Sequence, residues 1–261
     1  MDLSLNGRRA VICGSTQGIG LGIARELALL GADCILMARD GTRLEACARE
    51  LPRQAGQSHS FWVADFSDPA EVGNAISSVL SQGPVHILIN NTGGPAPGPI
   101  TAAKSGDFSA AFTQHVVNNQ TLATAVLPGM KEAGYGRIIN VISTSVRIPL
   151  KNLGVSNTIR GAVASWAKSL SNEVAAYGIT VNNVLPGFTE TGRLDSLIQS
   201  IATDSATSED VIRKRMSAEV PTGRFGKVAE IAALAAFLAS PAAAYINGTS
   251  IPVDGGRTGS I

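Results

Sequence analysis

A glycine-rich segment near the N-terminus, residues 14–20 with the sequence GSTQGIG, constrains this chain more than any other feature. The apolar run at 9–13 before it predicts a buried strand, and residues 18–30 after it predict a helix with one apolar face. Glycine lets the backbone approach a pyrophosphate closely, and a helix N-terminus offers unpaired N–H groups to an anion. The segment therefore predicts a dinucleotide site, with a ligand-free tight turn as the alternative. The loop residues expected to contact the cofactor are Gly14, Ser15, Thr16, Gln17, Gly18, Ile19 and Gly20.

The rest of the chain alternates short apolar runs with longer helical stretches. This alternation predicts an α/β fold, a single-domain Rossmann doubly wound parallel sheet of about seven strands with helices on both faces. One domain is expected over residues 1–261, with short helices and loop at 187–220 and a substrate lid at 189–220. A long helix is expected at 108–131, bent near Pro128. The predicted strands lie at 9–13, 34–38, 61–64, 85–90, 137–142, 179–184 and 249–253, and the other predicted helices at 18–30, 44–51, 69–80, 155–177 and 229–238.

Composition and charge argue against several classes of function. The net charge is +1 and aromatic residues make up 5%, with no basic stripe, so we expect no nucleic-acid partner. No apolar run reaches the roughly 18 residues of a membrane-spanning helix. The first residues lack the pattern of a signal peptide, so we expect no membrane partner and a cytoplasmic location. The spacing of Cys13, Cys34 and Cys47 fits neither a zinc site nor a disulfide framework, and no metal is expected.

The residue after the second predicted strand bears on which dinucleotide is bound. Arg39 lies 19 residues after Gly20 and can pair bidentately with the 2′-phosphate of NADP. Asp40 instead favours NAD, since a carboxylate there can accept hydrogen bonds from its ribose hydroxyls. A solvated turn is the third interpretation of the pair. NADP(H) is the favoured cofactor, and NAD(H) is the alternative.

Further motifs follow in a fixed order along the chain. They are Asp65, Asn90-Asn91-Thr92-Gly93, Asn118, Ser143, Pro186-Gly187 with Thr189 and Thr191, and Val253-Asp254-Gly255-Gly256. In this order the chain resembles the short-chain dehydrogenase/reductase family over essentially its whole length, and it is similar overall to 3-oxoacyl-carrier-protein reductases. The resemblance implies catalytic roles for Asn118 and Ser143. It also implies that the cofactor is contacted by Asp65, Phe66, Asn91, Gly93, Pro186, Gly187, Thr189 and Thr191.

The chain departs from the family at two catalytic positions. The family has a tyrosine 13 residues after the serine and a lysine four residues later, where this chain has Ser156 and Arg160. A serine hydroxyl is a far weaker acid than a tyrosine phenol, so a proton-transfer contribution of about 10²–10⁴-fold in rate is in question. Arg160 is expected to serve both the catalytic and the cofactor site, because arginine can donate to ribose hydroxyls as the family lysine does. Its pKa above about 12 prevents it from releasing a proton.

Three functions remain open at this point. The favoured one is an NADP(H)-dependent oxidoreductase that reduces a small-molecule carbonyl or oxidises an alcohol with an altered active site. Its proton would come from water, the substrate or a side chain such as His115, for which an interface or surface position is the alternative. The second is an NADP(H)-binding sensor or assembly subunit with little turnover, and the third a non-redox lyase or isomerase.

The resemblance also implies an assembly. Members of the family usually form tetramers or dimers, and we expect a homotetramer. The helices at 108–130 and 155–177 would form one interface, and the tail at 246–253 another.

Overall fold

The apolar runs form one parallel sheet in the computed structural model, which describes residues 1–54 and 56–260. Its seven strands lie in the order β3-β2-β1-β4-β5-β6-β7, so the chain reverses direction across the sheet between β1 and β4. This order confirms the predicted single-domain Rossmann sheet. Residues 55 and 261 of the predicted domain lie outside the described residues. The strands are β1 (Arg9–Cys13), β2 (Asp33–Ala38), β3 (Ser60–Val63), β4 (Ile87–Asn90), β5 (Gly136–Val141), β6 (Ile179–Pro186) and β7 (Ser250–Val253).

Helices cover both faces of the sheet, and each strand–helix pair buries apolar side chains between them. Ile23 and Ile231 belong to the core on one face, and Ile76 and Leu122 to the core on the other. Each such buried side chain contributes about 1.5–3 kcal/mol relative to exposure. Among the described residues no helix is both long and apolar enough to cross a bilayer. The helices are α1 (Gly18–Leu29), α2 (Gly41–Glu50), α3 (Pro69–Leu80), α4 (Ser105–Phe112), α5 (Asn118–Glu132), α6 (Gly154–Val174), α7 (Gly192–Asp204), α8 (Glu209–Ala218) and α9 (Val228–Ala239).

The long helix predicted at 108–131 is divided by a turn of π-helix. That turn spans Thr113–Val117 and separates α4 from α5, and the backbone N–H of Asn118 bonds to the carbonyl of Thr113. The helix continues through Pro128 to Glu132, and the bend expected near Pro128 stays a prediction. A π turn inserts one residue into a helix, and such turns occur often at functional sites.

The segment expected to form a lid contains the two short helices α7 and α8. The side chain of Thr191 begins α7 by accepting a hydrogen bond from the backbone of Leu194 at 3.4 Å. The two helices share a small apolar core that is separate from those of the sheet. Its buried members are Leu194, Ile198, Ala202, Ile212, Met216 and Phe225.

A row of polar side chains joins the four neighbouring strands β4 to β7. Asn90, Asn140, Asn183 and Ser250 occupy matching positions on β4 to β7, and we call them the polar seam. Asn90 Nδ2 donates to Asn140 Oδ1 and Asn140 Nδ2 donates to Asn183 Oδ1, both at 2.9 Å. Asn183 Nδ2 donates to Ser250 Oγ at 3.0 Å. Because Asn140 is completely buried, its two hydrogen bonds have no nearby solvent to replace them.

We expect Asn140→Ala to lower the free energy of unfolding by about 2–5 kcal/mol, because a buried donor of Asn90 and a buried acceptor of Asn183 both lose their partner. Urea denaturation measures the change. Asn74→Ala, the same substitution at an exposed position of α3, serves as the control and should stay within about 0.5 kcal/mol of the parent protein. Equal effects of the two substitutions would contradict a structural role for the polar seam.

Candidate active site

The glycine-rich loop lies directly against the end of β4. A Cβ atom on Gly14 would sit 2.1 Å from the backbone oxygen of Asn91, and one on Gly20 would sit 2.2 Å from the backbone oxygen of Gly14. Gly14 also has a φ of +59°, which side chains rarely adopt. Asn91 Nδ2 donates to the carbonyls of Cys13 and Gly14, each at 3.2 Å. Two glycines and one amide therefore fix the loop where β1 and β4 end.

The first turn of α1 is open to an anion. Gln17 at its start makes no side-chain capping bond, and the turn contains no acidic residue. Ser15 is completely buried and accepts a hydrogen bond from the backbone of Met37 at 3.1 Å, which ties the loop to β2. The unpaired N–H groups and positive dipole end of α1 thus face outward from a rigid loop, an arrangement that fits a pyrophosphate.

The residues after β2 divide into a helix cap and two cationic side chains. Asp40 caps α2, since its carboxylate accepts a hydrogen bond from the backbone N–H of Arg43 at 3.0 Å. Arg39 is exposed beside it. The Arg43 guanidinium donates to Gln17 Oε1 at 3.0 Å, which brings a second cation to the glycine-rich loop. Sequence reasoning missed Arg43, although a basic residue in the first turn of a helix opposes the helix dipole and was a usable signal.

Asp65 and Phe66 follow β3 on the same edge of the sheet. Hydrogen bonds from the backbone and side chain of Ser67, and the charge of Arg39, hold the pKa of the Asp65 carboxyl below its ordinary value. Asp65 is therefore an acceptor at neutral pH. The backbone oxygen of Phe66 accepts a hydrogen bond from Asn118 Nδ2 at 2.7 Å. Asn118 is completely buried where the π turn ends, and its Oδ1 has no protein partner among the described residues.

Ser143 and Ser156 lie on adjoining segments after β5 and at the start of α6. Ser143 Oγ accepts a hydrogen bond from the backbone of Ser145 at 3.0 Å, which leaves its own proton free to donate. Ser156 is buried in the first turn of α6, with 7% of its surface exposed. One turn further along α6, Arg160 donates to the backbone oxygen of Val141 at 3.1 Å and so joins α6 to the end of β5.

Arg160 and His115 have shifted protonation equilibria. Burial, assisted by the charge of Arg193, lowers the pKa of Arg160 to about 10, so it stays charged at neutral pH. His115 is 2% exposed, and its Nδ1 lies 2.9 Å from Thr92 Oγ1. Burial, together with the charges of Arg160 and Arg193, lowers the pKa of His115 to about 3. His115 is therefore neither a surface residue of this chain nor a charged proton donor at neutral pH.

The segment expected to begin the lid is held by hydrogen bonds after β6. The backbone N–H of Gly187, directly after Pro186, bonds to the carbonyl of Val253 at 3.0 Å. Thr189 Oγ1 donates to Gly187, and Thr191 Oγ1 donates to Thr189.

Two further contacts hold loops at the ends of the strands, one from Thr191 and one from the π turn. The methyl carbon of Thr191 lies 3.5 Å from where a Cβ on Gly18 would be. The carbonyl of Gly93 accepts a hydrogen bond from Gln114 Nε2 at 3.2 Å. The predicted loop residues thus lie just after the carboxyl ends of the strands.

Known proteins resemble this chain over nearly its full length. The family model described as enoyl-(acyl carrier protein) reductase matches residues 14–258. The NADPH-dependent reductase BacG of Bacillus subtilis is 31% identical over 256 residues, which cover 97% of this chain and 99% of that protein. The 3-oxoacyl-acyl-carrier-protein reductase FabG of Vibrio cholerae is 34% identical over 257 residues, covering 97% and 98%.

A solved structure agrees in fold as well as in sequence. L-sorbose reductase of Gluconobacter frateurii, solved with NADPH and L-sorbose, superimposes with a TM-score of 0.94 at 32% identity, and the match covers 100% of both chains. The ordered motifs, the strand order and this similarity over the whole length lead to one conclusion: the chain belongs to the short-chain dehydrogenase/reductase family.

Proposed function

We propose that this chain is an NADP(H)-dependent oxidoreductase that interconverts a small carbonyl compound and its alcohol. The observation that carries the proposal is the open first turn of α1, with the cationic side chains of Arg39 and Arg43 beside it. An open helix N-terminus suits a pyrophosphate, and exposed guanidinium groups suit the additional 2′-phosphate of NADP. The similarity to reductases whose names specify NADPH supports the same cofactor.

The residues of the cleft divide into cofactor-holding and substrate-orienting groups. The loop at 14–20 would hold the pyrophosphate, Asp65 the adenine and Arg160 the nicotinamide ribose. Thr189 and Thr191 would contact the nicotinamide end. When bound, NADPH supplies a hydride for the carbonyl carbon. Ser143, whose proton is free, would donate a hydrogen bond to the carbonyl oxygen and polarise it.

The proton for the reduced oxygen cannot come from a strongly acidic side chain of this site. Ser156 is too weak an acid, Arg160 holds its proton at neutral pH, and His115 carries no extra proton. We infer that water held by Ser143 and Ser156 supplies it. The cost relative to a positioned acid is about 10²–10⁴-fold in rate, so we expect slow turnover.

The lack of an acidic side chain that could donate the proton favours a second candidate function. An NADP(H)-binding subunit with little turnover needs the cofactor-holding residues but no proton donor. The neutral His115 and the charged Arg160 are compatible with that function. Turnover with a broad set of carbonyl compounds separates the two functions.

We also propose that the chain assembles as a homotetramer. The helices expected at one interface leave three large apolar side chains exposed: Phe112 at 44%, Val117 at 37% and Tyr177 at 47%. Exposed apolar side chains on neighbouring helices are typical of a surface that another copy covers. Light scattering measures the assembly.

We expect Arg39→Asp to raise the Kd for NADPH about 10- to 100-fold while the Kd for NADH changes far less, because the substitution replaces a phosphate-binding charge with a repelling one. Fluorescence titration with each dinucleotide measures both constants. Arg49→Asp makes the same change of charge on the exposed face of α2 and is the control. An unchanged preference between the two dinucleotides would remove Arg39 from this role.

We expect the double substitution Ser156→Tyr and Arg160→Lys to raise kcat about 10²-fold, because it restores a phenol acid and a neighbouring ammonium group. The matched control is Ser156→Phe with Arg160→Lys, which adds nearly the same volume without the hydroxyl. Steady-state reduction of a carbonyl panel with NADPH measures the difference. Equal activity of the two double variants would show that the cleft is built for a different proton source.

We expect stability to fall as the pH falls from about 6.5 to 3, because the unfolded state protonates His115 while the folded state keeps it neutral. The contribution is about 1.4 kcal/mol for each pH unit in that window. His115→Gln should remove this part of the slope, and urea denaturation across the pH range measures it. The quantity to compare is the difference in the free energy of unfolding between the parent protein and His115→Gln at each pH, since other groups titrate in both. Parallel pH profiles would contradict the low pKa of His115.

A further inference from the structure

Two arginine side chains from different elements converge on the loop after β4. A Cβ atom on Gly94 would lie 2.9 Å from Arg193 Nη2 and 3.3 Å from Arg160 Nη2. Arg193 belongs to the first turn of the lid helix α7, and Arg160 to the buried face of α6. The two guanidinium groups thus approach one point, although their charges repel each other.

No acidic side chain balances these two charges in the part of the chain that the structure describes. Neither Arg160 nor Arg193 forms an ion pair there. The nearest acid along α7, Asp195, is taken by Arg213 at 2.9 Å. His115, the third basic side chain of the cluster, is neutral because its pKa lies near 3. The cluster therefore carries two positive charges and no negative one.

The arginines also have hydrogen-bonding capacity to spare. Arg160 uses one bond, to the carbonyl of Val141, and Arg193 bonds only to the carbonyls of Gly94 and Pro95 at 3.2 and 3.1 Å. A guanidinium group has five N–H donors in a planar fork that matches a carboxylate. Arg193 is exposed, so an anion can reach it from solvent.

The loop beneath Arg193 leads to the serine side of the cleft. Gly98, four residues after Gly94, bonds to the backbones of Asn152 and Gly154 at 2.7 and 3.1 Å, just before Ser156. The pyrophosphate, by contrast, has the open turn of α1 as its site. The loop that meets both arginines therefore continues to the segment that precedes Ser156.

We propose that Arg193 determines substrate specificity by binding a carboxylate of the substrate, with the free donors of Arg160 directed at the same anion. This rests on the proposed oxidoreductase function and names its substrate class, carbonyl compounds that carry a carboxylate. Arg193 bonds to the carbonyls of Gly94 and Pro95, and it exchanges these bonds for the carboxylate when substrate binds.

The test compares acids with their neutral esters. The probes are benzoylformate, acetoacetate and levulinate, each beside its methyl or ethyl ester, so that the carboxylate lies at three distances from the carbonyl. We expect the parent protein to prefer at least one acid, and Arg193→Gln to lower the acid-to-ester ratio of kcat/KM about 10- to 100-fold. Arg193→Lys should retain part of the preference, because it keeps the charge and loses the fork. Arg215→Gln, on the exposed face of α8, is the matched control and should keep the ratio.

A second readout does not depend on turnover. Malonate and malonamide are titrated into the NADPH-loaded protein, and the cofactor fluorescence reports binding. We expect the NADPH-loaded protein to bind malonate and not malonamide. We expect Arg193→Gln to raise the Kd for malonate at least tenfold. Failure of the parent protein to bind NADPH would contradict the proposed function itself.

Three results would overturn the role of Arg193. One is that the NADPH-loaded protein binds malonate and malonamide equally well, or binds neither of them. Another is an acid-to-ester ratio that Arg193→Gln leaves unchanged. The third is a loss of NADPH affinity in Arg193→Gln without a change in malonate binding, which would assign the arginine to the cofactor pyrophosphate.

Discussion

The contact between the backbone of Gly14 and the end of β4 is the constraint on which the cofactor end of this protein depends. The carbonyl of Asn91 and the turn at Gly14 lie so close that no side chain fits between them. The Asn91 amide then holds two carbonyls of the first loop. Because β1 and β4 are neighbours where the sheet reverses, this contact also fixes the first turn of α1 above the crevice between them. The anion site is thus a property of backbone geometry.

The polar seam fixes the relative positions of the strands in the other half of the sheet. Its amides join β4 to β7 just before the loops that carry Asn91, Ser143 and Gly187. A buried amide with both groups satisfied favours one strand register over its alternatives, because a slipped register would leave its polar atoms unpaired. The seam therefore fixes the relative heights at which these loops leave the sheet.

Local patterns in the sequence account for most of the fold. The strand β1 and the helix α3 lie where the sequence predicts them, at 9–13 and 69–80, because strand burial and helix capping depend on adjacent residues. The π turn at Thr113–Val117 could not be predicted this way, since its residues have the same apolar spacing as an α-helix and only the bond from Asn118 reveals it. Pro128 does not end α5, because a proline lacks one donor yet can remain inside a packed helix.

The candidate site follows a similar division. The loop glycines are predicted from their position between a strand and a helix, whereas Ser143 and Ser156 are predicted from the resemblance to the family. The roles of Asp40 and Arg43 depend on a capping bond, and the convergence of Arg160 with Arg193 depends on a contact between residues far apart in the chain. Contacts between residues far apart in the chain leave no periodic pattern in the sequence from which they could be predicted.

The chain before α7 and the chain after α8 meet in a small parallel bridge. Gly226 donates to the carbonyl of Phe188 at 2.8 Å and accepts from the backbone of Glu190 at 2.9 Å. Between these points the chain leaves the sheet and returns, and its apolar residues pack on each other. Such a closed excursion is a module in the evolutionary sense. Its own apolar core lets its sequence change without disturbing the strand register of the sheet.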